Sequence, residues 1–308
     1  LIKADLTGAD LGVKLHASNV NLNVNTNLVG ADLTGAILRG ADLASAILVN
    51  DTVGSKAANL EKADLTGADL SATVFSVTHS TTEVVTAANL TSAILTSANL
   101  SGRDLTNVDF EKADLSGANL SLANLQNAIL TGAKMITDGT TSNNGVSADT
   151  SGTVNLSGAN LTNAKLIKAD LTGANLGVKL HASDAQQNVN TNLVGADLTG
   201  ANLTGTTLTG TVFSGTIDGV VTAANLTSAI LTSANLVSQD LTSVDFEKAV
   251  LSGADLTGAD LENAILTGAQ LNTDGTNTVK LMGAILTNAK LIKADLTGAD
   301  LGVKLHAS

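Results

Sequence analysis

The 308-residue chain has no cysteine, proline, tryptophan or tyrosine, and only four phenylalanines. The absence of cysteine excludes a disulfide-stapled secreted module. With almost no aromatic rings, a core has to be assembled from Leu, Ile, Val and Ala, which implies many thin, similar layers and not one thick centre. Positive charge is scarce: 16 Lys and Arg stand against 28 Asp and Glu, a formal net charge of −12. That balance argues against a phosphate-binding surface and hence against a nucleic-acid partner. Charged residues make up 14% and apolar residues 44%, a composition that folds and does not stay disordered for want of a core. Long apolar runs are missing as well. The uncharged stretches Val84–Gly102 and Gly219–Gln239 have the length of a membrane span but are crowded with Asn, Thr and Ser, whereas a spanning helix needs predominantly apolar residues. Leu1 is preceded by no initiator methionine and followed by no basic-then-apolar targeting stretch, as expected of a mature or excised piece.

What is present is repetition. Ala4-Asp5-Leu6-Thr7-Gly8 returns as Ala31-Asp32-Leu33-Thr34-Gly35, as Ala196-Asp197-Leu198-Thr199-Gly200 and in many variants. In-phase runs of period five occupy 28–48, 60–75, 90–135, 156–176, 193–213, 226–271 and 281–301, the two longest with ten units each. Five matches neither the 3.6 of a helix nor the 2 of a strand. The pattern fits a coil with corners at fixed intervals, where Leu and the small residue two before it point inward and the other three positions face water. Gly, Ser or Asn two after Leu, as at Gly8, Gly35, Ser92, Asn107 and Asn127, suits a tight turn. The expected class is all-β, a narrow β-solenoid.

Uninterrupted Ala-(Asp/Asn)-Leu-x-x over most of the chain resembles the pentapeptide repeat protein family. That resemblance implies a right-handed quadrilateral parallel β-helix with four pentapeptides, twenty residues, per coil. About fifteen coils stacked ~4.8 Å apart would form a rod roughly 70 Å long. Interruptions near 12–26, 49–59, 76–87, 136–153, 177–191, 214–223 and 272–278 are rich in Thr, Asn, Ser, Val or Gly and read as loops. None is long enough for a second domain, so residues 1–308 are expected to form one continuous solenoid. A larger repeat lies above the small one: Leu1–Ser18 recurs at Leu166–Ser183 with Asp10 replaced by Asn175, and unchanged at Leu291–Ser308. Residue 291 therefore restarts residue 1, as in a longer array with a unit of about 290 residues.

Chemistry-bearing motifs are absent, and no catalytic, cofactor-binding or metal-ligating residue is expected; the chain reads as no enzyme. His16, His181 and His306 occupy one position of the large repeat, without ligands at metal spacing. His79 could pair with Glu83, but no nucleophile with an orienting base is suggested. The Thr-Asp-Gly-Thr segments at Thr137–Thr140 and Thr273–Thr276 carry one Asp each, too few for a calcium loop, and read as turns. Sequons such as Asn89-Leu90-Thr91 arise automatically from the repeat and say little of glycosylation.

Some relatives in the family mimic duplex DNA and bind DNA gyrase, which requires carboxylates stacked into a stripe. At twenty-residue spacing the columns read Asn89/Asp109/Ile129, Ile94/Asp114/Lys134, Asn99/Asn119 and Asp104/Asn124, none continuously acidic. Only Asp240 and Asp260 stack like on like in the second long run. Asp114 and Lys134 would compensate each other, and mixed Asn and Asp would bond up the stack. An ice-binding threonine face is interrupted by glutamate in Thr91/Glu111/Thr131 and Thr227/Glu247/Thr267. Neither end shows a capping element of the kind that normally covers a solenoid. The expected function is a structural rod, a filament, fibre or surface-layer component that associates with itself end to end or laterally, extracellular or on the cell surface, though cysteine absence also suits the cytoplasm. The alternatives are an acidic gyrase-binding DNA mimic and a scaffold whose loops at 76–87 and 136–153 bind a partner.

Overall fold

The computed structural model describes residues 26–49, 56–68, 70, 72–78, 85–136, 154–177 and 189–302. Each pentapeptide does the same thing. Its small residue and its Leu are buried, as at Ala93, Leu95, Ala98 and Leu100, while the Asp, Asn or Ile between them forms a parallel β-bridge to the next coil, as in Asn89–Asp109 and Ile94–Asp114. The Leu N–H donates to the following coil and the bridging residue's N–H to the preceding one: Leu90 N to Asp109 O at 2.8 Å, Asp114 N to Ala93 O at 2.9 Å. A turn then closes from Ala93 N to Leu90 O at 3.0 Å. Its third residue takes positive φ, as type II turns require, whether it is Gly117 (φ 67), Ser92 (φ 57), Lys112 (φ 57) or Leu122 (φ 60). These bonds engage three of the unit's five N–H groups, and the third turn residue's N–H also donates to the next coil, as Ser92 N does to Glu111 O at 2.7 Å, so few main-chain donors beside the core are left to be hydrated.

The asparagine or aspartate before Leu is a turn device. Its Oδ1 accepts the backbone N–H two residues on, as in Asn89 with Thr91 at 2.9 Å and Asp109 with Glu111 at 2.8 Å, the local bond that lets Asx side chains organise turns. Amides also bond along the axis: Asn89 Nδ2 to Asn59 Oδ1 at 3.1 Å and Asn160 Nδ2 to Asn124 Oδ1 at 3.1 Å. Where Thr replaces the small inward residue, its hydroxyl donates to the previous coil's carbonyl. Thr73 reaches Leu43 O and Thr211 reaches Leu176 O, both at 2.7 Å. Phe75, Phe110, Phe213 and Phe246 occupy Leu positions and are fully buried.

Within uninterrupted runs the bridge partner lies twenty residues on; across interruptions the step lengthens and the ladder resumes in phase. Asp32 pairs with Asn59, Asn59 with Asn89, Asn119 with Asn155, Asn160 with Asn192, Asp197 with Asn225 and Asp255 with Lys280. Three interruptions leave and return at one corner, closed by Ala58 N to Leu48 O, Ala88 N to Phe75 O and Ala224 N to Phe213 O at 2.7 to 2.8 Å. Two of these are β-hairpins and not plain loops. Strand β1 (Ser76–Thr78) pairs with β2 (Val85–Ala87), and β3 (Ser214–Ile217) with β4 (Val220–Ala223), both antiparallel. Ile217 opposite Val220 leaves a two-residue turn, Asp218 (φ 50) and Gly219 (φ 79), the double positive φ of a type I′ hairpin. No helix among the described residues is long and apolar enough to cross a membrane.

Candidate interaction surfaces

The bridging residues stack into columns, and the columns decide what each face offers. One runs Asp32, Asn59, Asn89, Asp109, Ile129, Lys165, Asp197, and its neighbour Ile37, Asp64, Ile94, Asp114, Lys134, Asp170, Asn202. Carboxylates alternate with amides, aliphatics and lysines. Among the described bridges only Asp240–Asp260 sets carboxylate on carboxylate. Lys134 Nζ lies 3.1 Å from Asp114 Oδ2, the compensation expected from their spacing, and Lys280 Nζ lies 2.9 Å from Asp255 Oδ2. Glu61–Lys62, Glu111–Lys112 and Glu247–Lys248 pair between adjacent residues at 2.6 to 2.8 Å. These pairs are exposed, so each contributes little to stability.

The aspartates are engaged rather than poised. Burial pushes the Asp64 carboxyl up, but the Thr66 hydroxyl, Arg39 and the Thr66 N–H outweigh it and hold the group below its ordinary value. Asp255 follows the same pattern, with Thr257 and Lys280 overcoming burial. Asp274, in the Thr273–Thr276 turn, is the most depressed: its carboxylate accepts from Asn277 N (2.6 Å), Ser233 Oγ (2.7 Å), Thr276 N (2.8 Å) and Thr276 Oγ1 (2.8 Å). This bonding pins the 272–278 loop against the coil wall, close enough that a Cβ on Gly253 would sit 2.4 Å from Asp274 Oδ2. The carboxylate is thus filled by its own surroundings. No cluster of three or more His, Cys, Asp or Glu suited to a metal occurs among the described residues. His16, His79, Glu83, His181, His306 and the Thr137–Thr140 turn lie outside the described residues.

One pair of features stands apart from these self-satisfied walls. The hairpins project from the same corner, their return points Ala88 and Ala224 each preceding the first-named column, at Asn89 and Asn225. Five ladder steps separate them, about 24 Å at the usual strand spacing. β3 packs on the coil below, with Gly215 so close to Val194 that a Cβ would meet its Cγ2 at 3.1 Å, while Val220 and Val221 are 65% and 64% exposed. Sequence reasoning placed interruptions here but missed the strands; the available signal was Asp218-Gly219 between β-branched residues. In the coil at 281–302, Leu286, Leu291 and Leu296 are partly buried against the core and Leu301 is 52% exposed.

The sequence model of the pentapeptide repeats matches residues 24–50, 56–76, 86–136, 154–177, 189–217, 222–272 and 279–302. Among solved structures, the chain is similar to HetL from the cyanobacterium Nostoc sp. strain PCC 7120, a pentapeptide repeat protein involved in heterocyst differentiation regulation: 29% identity over 89% of this chain and 90% of that one, TM-score 0.31. It is also similar to QnrB1, a plasmid-mediated fluoroquinolone resistance protein (21% identity, 67% and 90% coverage, TM-score 0.39), and to Rfr23 from the cyanobacterium Cyanothece 51142 (30% identity, 47% and 86%, TM-score 0.24). Among curated proteins, none matches the chain. With repeats matched over well more than half of its length, and with buried Leu, bridging Asx and positive-φ turn recurring every five residues, the chain belongs to the pentapeptide repeat family.

Proposed function

We propose that the protein is a non-enzymatic structural rod, a single four-sided coil through residues 1–308 that builds a filament, fibre or surface layer by association with itself, outside the cell or on its surface. The observation that carries this reading is the ladder. It resumes in phase after every described interruption from Asn27 to Asp300, and the side chains along it are spent on their own turns and on their neighbours above and below. Such a wall supplies stiffness and length, and it offers no convergent set of groups for chemistry. Electron microscopy with sedimentation across a concentration series tests the reading: rods that lengthen with concentration support it, and a monodisperse species of constant length at all concentrations refutes it.

A second reading, an acidic gyrase-binding module, draws on the net charge of −12 and on the Asp240–Asp260 stack beside Glu262. The described columns supply no longer run of carboxylates. A supercoiling assay with purified gyrase separates the two readings, because a DNA mimic inhibits or protects at micromolar protein and a rod leaves the enzyme unaffected.

A further inference from the structure

One wall of the coil is kept the same in two places where the others have drifted. The four successive steps of the first-named column that begin at Asn89, Asp109, Ile129 and Lys165 return five ladder steps later at Asn225, Asp245, Ile265 and Lys290, about 24 Å along the axis. Each step shows three residues to the outside: the bridging residue and the two turn residues that follow Leu. On this wall every outward residue of the first set is repeated in the second, through Lys168 and Lys293. On the next wall Asp114, Lys134 and Ile136 give way to Val250, Gln270 and Asn272. On the wall after that, Asn119, Leu122 and Asn155 give way to Asp255, Gly258 and Lys280. The fold does not require the kept residues, because the step between the two sets carries Asp197, Thr199 and Gly200 at the same positions.

The kept wall is also polarised. The Asp109 step carries two carboxylates and one lysine, with Lys112 paired to Glu111 at 2.8 Å, and so is net negative, as is its copy at Asp245. Two steps further on, Lys165 and Lys168 are both exposed, share their part of the wall with no carboxylate, and form no ion pair among the described residues; the same holds for Lys290 and Lys293. Ile129 and Ile265 lie between the acidic and basic steps.

We propose that this wall is a lateral docking surface for a second copy of the chain, the two rods lying antiparallel about a two-fold axis between the Asp197 and Asn225 steps. This rests on the self-association proposed above and specifies a side-by-side contact for it. In that alignment the Lys165 step faces the partner's Asp245 step, the Lys290 step faces the partner's Asp109 step, and Ile129 faces the partner's Ile265. Both acid–base matches are made twice by symmetry, as an isologous interface demands. A parallel two-fold would set every step on its own kind, lysine against lysine. Charge complementarity thus fixes the orientation of the pair.

Charge reversal tests the pairing. The variant Lys165→Glu/Lys168→Glu/Lys290→Glu/Lys293→Glu turns the basic steps acidic. The variant Glu111→Lys/Glu247→Lys turns the acidic steps basic and leaves the turn bonds of Asp109 and Asp245 in place. In sedimentation across a concentration series, each variant alone should self-associate at least about tenfold more weakly than the parent, whereas their equimolar mixture should recover the parent's association, since each then meets its opposite. Both variants remain net negative, so overall charge does not produce the recovery. The parent's own association should loosen from about 0.01 M to 1 M salt, a readout that needs no variant to fold, and insensitivity to salt overturns the pairing by itself. Variants that associate as the parent does, or a mixture that stays as dispersed as its components while both keep the parent's unfolding midpoint, likewise overturn the pairing and leave self-association standing. A parent that is monodisperse at every concentration overturns both.

Discussion

Ser238 and Gly258 provide a paired test of where strain lies in the coil. They occupy the same turn position in successive coils, with φ of 54° and 67°, and Ser238 N donates to Thr257 O at 2.9 Å. Ser238 is exposed, so trimming it to glycine forfeits little packing. An L-residue held in the left-handed region costs about 1–2 kcal/mol, while glycine loses about 0.5–1 kcal/mol more than alanine in ordering its backbone. Ser238→Gly should therefore stabilise the protein by about 0.5–1 kcal/mol. Gly258→Ala should destabilise it by a similar amount, with the new Cβ in a tight contact 3.3 Å from Ser238 Oγ. The double variant removes that contact and should return close to the parent, so the pair is coupled through Oγ as well as through φ. Thermal unfolding followed by circular dichroism reads this as opposite shifts of about 1–3 °C. If Ser238→Gly lowers the midpoint, or Gly258→Ala raises it, the positive-φ turn is not where the coil stores strain and the argument fails.

Three further outcomes follow from described contacts. Asp274→Ala should release the 272–278 loop and create a protease-sensitive site there; in the parent the same release should come with acid, because a carboxyl depressed by Asn277, Ser233 and Thr276 stabilises above its unfolded value of about 4 and loses that contribution as pH falls toward its folded value. Limited proteolysis across pH 2–7 checks both, and cleavage that is the same at pH 7 in parent and variant would refute the pinning. Thr211→Val keeps the buried volume but deletes the 2.7 Å bond to Leu176 O, which should cost about 1 kcal/mol; an unchanged unfolding midpoint would show the bond to be idle. Replacing residues 214–223 by Thr-Gly should leave the coil intact, because Ala224 N already closes on Phe213 O at 2.7 Å. Loss of the native β-spectrum would show instead that the hairpin holds its corner together through Val194.

Much of the coil was legible in the sequence because its period is short and its inward positions are strict. Counting twenty residues from Asn89 placed Asp109 and Ile129 above it, and from Asp114 placed Lys134, and those are the bridges observed. The aspartates were harder to read. As sequence they form an acidic excess that invites a search for a charged stripe, whereas in the coil Asp109 and Asn89 perform one task, accepting the N–H two residues on. That task is indifferent to charge, so residue type alone does not reveal it. Across the interruptions, counting failed for a different reason: the spacing from Asn119 to Asn155 or from Asn160 to Asn192 depends on which corner the chain leaves from, and composition does not encode the corner.

The uneven interruptions have a consequence for how such a chain finds its fold. In a coil built from near-identical fives, slipping by a whole turn leaves every side chain on its proper face, so the hydrophobic pattern that fixes register in an ordinary sheet does not discriminate here. Segments such as 159–177 and 284–302 could each nucleate against the other's neighbour at almost equal energy, the near-degeneracy that roughens a folding landscape. Excursions of different length at different corners lift it. A slipped coil would have to bury the hairpin at 214–223 where a two-residue turn belongs, or stretch two residues across the gap left for 136–153. The interruptions thereby act as keys that admit a single alignment, and smoothing them away in search of a more regular rod should yield a chain that folds more slowly and into a mixture of registers.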